Sequence, residues 1–115
     1  MNNETLITIG GYKKISPADI LMLKAQINYT QIYLHDGSQI LSSITLGIFE
    51  NRLKGFSFLR PNRSTIINLQ YIIEDKSLST AYPCIKMINN IDIPISRRRT
   101  TLFYKMLKLN KNFNQ

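Results

Sequence analysis

Two short stretches hold the residues best suited to chemistry. One is Phe58-Leu59-Arg60-Pro61-Asn62-Arg63-Ser64-Thr65-Ile66-Ile67-Asn68, and the other is Ile93-Pro94-Ile95-Ser96-Arg97-Arg98-Arg99. In both, arginines stand beside Ser, Thr or Asn at the end of an apolar run. An arginine presents a planar fork of donors, and small polar side chains add donors without bulk. This is the chemistry of phosphate oxygens and base edges. The two stretches are about thirty residues apart. A fold that brought them to one surface would build a single polyanion-binding face.

The charge distribution supports that reading. The 115 residues carry a formal net charge of +8. From Gly55 onward ten Lys and Arg face three acids, a net of +7, and the first 54 residues add only +1. A basic half of this kind draws polyanions by steering and counterion release. The bland alternative is a solvated basic face without a partner.

Catalysis has little support. The one histidine, His35, falls in an expected turn beside Asp36 and Gly37 and reads as a solvated loop residue. With no second His and no Cys pair, no metal site is implied. Glu74 and Asp75 are adjacent, so on a strand their side chains point to opposite faces and make a poor acid/base dyad. No phosphate-binding glycine loop occurs. The sequence implies no enzyme, no cofactor and no small-molecule substrate. Cys84 stands alone in an apolar context, which suits a buried structural thiol in a reducing cytoplasm. No apolar run approaches the ~18 residues of a membrane span, and no signal-peptide pattern opens the chain.

The elements that must position the arginines are mostly strands. A length of 115 residues with 43% hydrophobic content suits one domain. Its expected core is about 5–108, with a polar tail over 109–115. Thr5 to Ile9 reads as a strand closed by Gly10-Gly11, and Lys13 to Ile15 as a short extended piece. Ser16-Pro17-Ala18-Asp19 has the form of a capped helical turn. Ile20 to Gln26 is apolar enough for a strand buried on both faces. Tyr29 to Leu34 and Gln39 to Ser42 flank a hairpin turn at His35-Asp36-Gly37-Ser38. Leu46, Phe49 and Leu53 recur at helical spacing, between a Thr45 cap and a Gly55 stop. Phe56 to Arg60 reads as extended and halted by Pro61. Ser64 to Asn68 is ambiguous. Further strands are expected at Leu69 to Glu74, Tyr82 to Ile88 and Ile91 to Ile95, with an Asn89-Asn90 turn and Pro94 at an edge or end.

A final helix puts Leu102, Phe103, Met106, Leu107 and Leu109 on one face. Ser96 as its cap would set Arg97 to Arg99 in the first turn. There they oppose the helix dipole at a few tenths of ~1 kcal/mol each, a cost a polyanion would offset. Alternatively the helix starts near Thr100, with the arginines in a loop. Arg60 reads as partly buried and structural, Arg63 as the better reaching residue, and Asn68 as a buried hydrogen-bonding residue. Tyr29 and Tyr33 read as packing residues. The expected fold is mainly β, with one short internal helix and a C-terminal helix.

At these residues the chain resembles the LytTR DNA-binding domains. The matching pieces are Asn28-Tyr29-Thr30, then Phe58, Arg60, Arg63, Ser64, Ile66, Ile67 and Asn68, then Ile93-Pro94-Ile95-Ser96-Arg97-Arg98. The likeness covers roughly residues 5 to 108. It implies elongated, packed antiparallel sheets whose loops, not a recognition helix, enter successive major grooves. Carried over by position, the loop around Asn28 and Thr30 supplies one contact, Arg63 a second and Arg98 a third. Ser64, Arg97 and Arg99 would hold the DNA backbone. Asn62 stands where the family usually has His and is counted, by that position, among the DNA-binding residues. Most members also carry a phosphorylatable receiver domain of a two-component system, for which this chain has no room. The resemblance further implies two copies on tandem half-sites.

The function expected is therefore sequence-specific binding of double-stranded DNA in transcription regulation, with Arg63 and Arg98 as main readers. A β-rich protein-interaction module with a basic face for an acidic partner is the alternative. A single-stranded nucleic-acid binder is a third reading, weakened by the scarcity of aromatics placed for stacking.

Overall fold

The run Ile20-Leu21-Met22-Leu23 organises the molecule, because all four side chains are buried. In a strand such a run requires cover on both faces. The computed structural model describes residues 5–76, 78 and 81–113, with side chains described as far as 109. Its strands are β1 (Ile7–Gly10), β2 (Lys13–Ile15), β3 (Ile20–Ala25), β4 (Thr30–Leu34) and β5 (Gln39–Ser42), followed by helix α1 (Leu46–Arg52). Then come β6 (Phe58–Asn62), β7 (Thr65–Asn68), β8 (Ile72–Lys76), β9 (Cys84–Met87), β10 (Asp92–Pro94) and helix α2 (Thr100–Phe113).

The central layer is a five-stranded antiparallel sheet in the order β5-β4-β3-β7-β6. One face packs against the β1-β2 hairpin and α1 through Ile7, Ile9, Ile20, Leu23, Ile32, Leu46, Phe49, Leu53 and Ile66. The other packs against the three-stranded sheet β10-β9-β8 and α2 through Leu21, Met22, Ile67, Ile85, Met87, Ile93, Phe103 and Leu107. A register shift between Ile20 and Met22 lets β3 serve both cores. The principal extents are 43 × 38 × 24 Å.

The mainly β fold, the internal helix and the C-terminal helix are as the sequence leads one to expect. Several boundaries differ. Pro61 does not halt the extended segment but lies inside β6. This is tolerated because β6 is an edge strand and its pairing with β7 is irregular between Leu59 and Asn62. The ambiguous Ser64–Asn68 stretch is the strand β7, its four residues all buried. Leu69 to Tyr71 form a 3-10 turn rather than the start of a strand, because Asn68 caps them by accepting from the Gln70 amide at 3.0 Å. Of the apolar residues expected on one face of α2, Phe103 and Leu107 are buried, whereas Leu102, Met106 and Leu109 are exposed. Cys84 is half-buried rather than enclosed. Strand β8 runs to Lys76, two residues beyond the expected end at Glu74, and Ser77 and Ser79 lie outside the described residues.

Candidate nucleic-acid interface

Three connections meet at one end of the central sheet, two of them brought there by its antiparallel pairing. Residues 26–29 join β3 to β4, and residues 63–64 join β6 to β7. The link between them is direct: the Ala25 amide donates to the Ser64 carbonyl at 2.8 Å. The third piece, Ser96 to Arg99, follows β10. It is tied to the same end by the Ser96 amide, which donates to the Pro61 carbonyl at 3.0 Å. The two arginine-bearing stretches therefore do converge, and the 26–29 turn stands beside them.

Asn62 is the centre of this convergence. Its carboxamide nitrogen donates across 32 residues to the Pro94 carbonyl at 2.7 Å. Its carboxamide oxygen accepts from the Ser64 amide at 2.9 Å and from the Ser64 hydroxyl at 3.0 Å. This is an Asx turn clamped to a second loop. Both ends of the side chain are engaged, so Asn62 shapes the turn.

The arginines divide into two kinds. Arg60 is fixed: one guanidinium nitrogen meets Glu50 Oε1 at 2.7 Å and the other donates to the Arg63 carbonyl. Arg99 is half-buried and donates to the Arg60 carbonyl at 3.1 Å, which locks the third connection to β6. Arg63, Arg97 and Arg98 are exposed. Each stretch thus has an anchoring arginine and at least one presented to solvent. The Arg97–Arg99 segment is a single 3-10 turn, and α2 begins at Thr100. Ser96 does not cap through its side chain. Its carbonyl instead accepts from the Arg99 amide and the Thr100 hydroxyl, both at 3.0 Å. The arginines therefore precede the α-helix, as in the second of the two readings.

The 26–29 turn splits its expected contact residues. Asn28 is exposed at the tip. Thr30 is only 1% exposed, and its hydroxyl donates to the Ile44 carbonyl at 2.7 Å. Its side chain holds the start of β4 and is not offered to a ligand. The turn is closed by the Gln26 amide donating to the Tyr29 carbonyl at 2.7 Å. Asn68 is 2% exposed and lies at the opposite end of the sheet, donating to the Ile20 carbonyl at 2.9 Å, a structural role as read from the sequence.

Sequence reasoning missed Glu50, the partner of Arg60, and the Asn62–Pro94 clamp. No local pattern carries either pairing, since each spans separate elements. Among the described residues no three His, Cys, Asp or Glu cluster to hold a metal. His35 is stacked on Tyr71 with ring centres 5.6 Å apart and lies 3.5 Å from Asp19. No helix among the described residues is long and apolar enough to cross a membrane.

Comparison with known proteins agrees with this geometry. A solved LytTr DNA-binding domain from Bacillus cereus superposes with a TM-score of 0.73 at 24% identity, covering 89% of this chain and 93% of that one. A curated relative, the heme-containing CO-sensing transcriptional regulator RcoM 1 of Paraburkholderia xenovorans (strain LB400), is 31% identical over 90 residues. That match takes in 77% of this chain and 33% of the relative, so the chain spans about a third of that protein's length. The family model of the LytTr DNA-binding domain matches residues 10–108. The chain belongs to the LytTR DNA-binding domain family.

Proposed function

We propose that this domain recognises a particular sequence in double-stranded DNA, with Arg63 and Arg98 reading base edges in successive major grooves. The observation that carries the reading is the division of the arginines. Arg60 and Arg99 are bound into the scaffold, and Arg63, Arg97 and Arg98 stand exposed on turns linked to one another. A turn whose backbone is already fixed leaves only the arginine side chain to be ordered on binding, and a bidentate pair with guanine typically contributes ~1–3 kcal/mol of discrimination. Arg97 and the donors of Arg99 not bonded to Arg60 are assigned to phosphates, Ser64 joins them by turning its hydroxyl from Asn62 Oδ1 to a phosphate oxygen, and Asn28 makes the contact of the first turn. Asn62 positions Arg63 and Ser64 and does not itself read a base. Two copies on tandem half-sites, in the cytoplasm, complete the proposal.

The test is selection of bound duplexes from a random pool at near-physiological salt, followed by sequencing. An enriched motif, repeated at about one helical turn (~10 bp) for the tandem arrangement, is expected. Binding without enrichment would mean that the arginines meet only phosphate. In that case the basic face would be assigned to an acidic protein partner. Competition between duplex and single strand at two salt concentrations separates the single-strand reading.

A further inference from the structure

The turn at residues 26–29 presents an apolar side chain to solvent beside the arginines. Ile27 is 97% exposed, between the exposed Gln26 and Asn28. Isolated apolar residues on a surface are ordinary in themselves. What distinguishes Ile27 is its setting. Its turn is bonded to the Arg63–Ser64 turn through the Ala25 amide and the Ser64 carbonyl. The turn is held from within by the Gln26–Tyr29 backbone bond and by the Gln26 carboxamide, which donates to Gln31 Oε1 at 3.1 Å. Thr30 anchors its exit to Ile44. The side chain at its tip is therefore offered outward from a fixed backbone, and isoleucine is itself stiff at its first torsion.

A rigid, branched apolar group on a basic DNA-facing rim has one natural counterpart in the major groove. Only thymine presents a methyl group there, and apolar side chains recognise it by contact. Phosphates and the other base edges offer nothing to a hydrocarbon. We propose that Ile27 is a specificity-determining residue that packs against a thymine methyl, so that the first turn reads by shape where the other two read by hydrogen bonds. This rests on the reading of the domain as a sequence-specific duplex binder.

The test uses the duplex enriched by selection. Each thymine is replaced in turn by deoxyuridine, which removes the methyl and leaves every hydrogen-bonding group unchanged. Affinities are measured for the wild-type domain and for Ile27→Ala. With wild type, one thymine is expected to show a loss of about fourfold, the ratio expected for burying one methyl group. With Ile27→Ala that loss should vanish, and Ile27→Val should retain part of it. Ile27 touches no core, so the melting temperature of each variant should equal that of wild type and report intact folding. If no thymine is sensitive in the wild type, or if Ile27→Ala keeps the same sensitivity, the inference is overturned while the sequence-specific reading stands. Selection that enriches no motif overturns both.

Discussion

The two ends of the central sheet are built from the same kind of material, short polar connections between apolar strands, yet they differ in what those connections satisfy. At the far end, polar side chains are directed inward or at one another. Asn68 closes on the Ile20 carbonyl and the Gln70 amide, Tyr71 donates to the Ala18 carbonyl at 2.6 Å, His35 stacks on Tyr71, and Asp36 caps Ser38. At the arginine end, Asn62, Arg60 and Arg99 are bonded into the scaffold, but Arg63, Arg97, Arg98, Asn28 and Ile27 stand exposed. One end holds the fold together. The other holds a second set of residues in readiness. The lesson is that residue type alone does not separate anchors from readers, because Arg60 and Arg63 are the same residue type and opposite in engagement.

If this division holds, substitutions at the far end change stability and leave DNA affinity alone, and substitutions of exposed rim residues do the reverse. The largest expected effect is Asn68→Ala, which leaves the Ile20 carbonyl and the Gln70 amide without their partner. A loss of about 2–3 kcal/mol is expected in denaturant titration, since each stranded buried group costs roughly 1–3 kcal/mol. Affinity measured on the folded fraction should stay within about twofold, the scatter of a site that is not coupled to it. A large affinity change would show that the two ends are coupled.

Next come Arg98→Ala and Arg63→Ala. Each should weaken binding to the selected duplex by about 10- to 100-fold, as expected for a bidentate base contact. Binding to random duplex should fall much less, with the melting temperature unchanged. Equal losses on both duplexes would reduce either residue to a phosphate contact. Asn62→Ala is the variant that crosses the divide. It removes the turn cap and the clamp to Pro94 together, so it should cost about 1 kcal/mol of stability and also several-fold in specific affinity. A stability loss without an affinity loss would show that the clamp does not position Arg63.

The smallest effect concerns acid. Hydrogen bonds from the Ser38 hydroxyl and amide hold the Asp36 carboxyl below its ordinary value of 3.8. A pKa depressed in the folded state stabilises the hairpin turn above the unfolded value, and the contribution disappears as pH falls through the folded one. Asp36→Asn should therefore flatten the stability profile slightly below pH 3.8 and leave DNA binding near neutrality unaltered.

The fold was legible wherever a local pattern determines it. The buried run of β3, the Ser16 turn, the His35–Ser38 hairpin and the edge position of Pro94 all follow from periodicity and turn chemistry. What escaped depends on partners distant in sequence. Pro61 continues a strand because β6 lies at an edge, a fact about the whole sheet. The exposure of Leu102, Met106 and Leu109 reflects how narrow a face of α2 the core accepts. Arg60, within the candidate site, and Asn68, at the far end of the sheet, were readable as structural from their apolar neighbours. The engagement of Thr30 with Ile44 and of Arg99 with Arg60 was not, because nothing local distinguishes a threonine or an arginine facing inward from one facing out.

The most direct test of the central claim is duplex selection run in parallel on the wild-type domain and on Arg63→Ala, with base preferences compared position by position. A reading turn predicts that the variant recovers the wild-type motif with preference erased at one place and kept elsewhere. A motif identical to wild type, recovered at uniformly weaker binding, would contradict the account and leave Arg63 as one more positive charge on a basic surface.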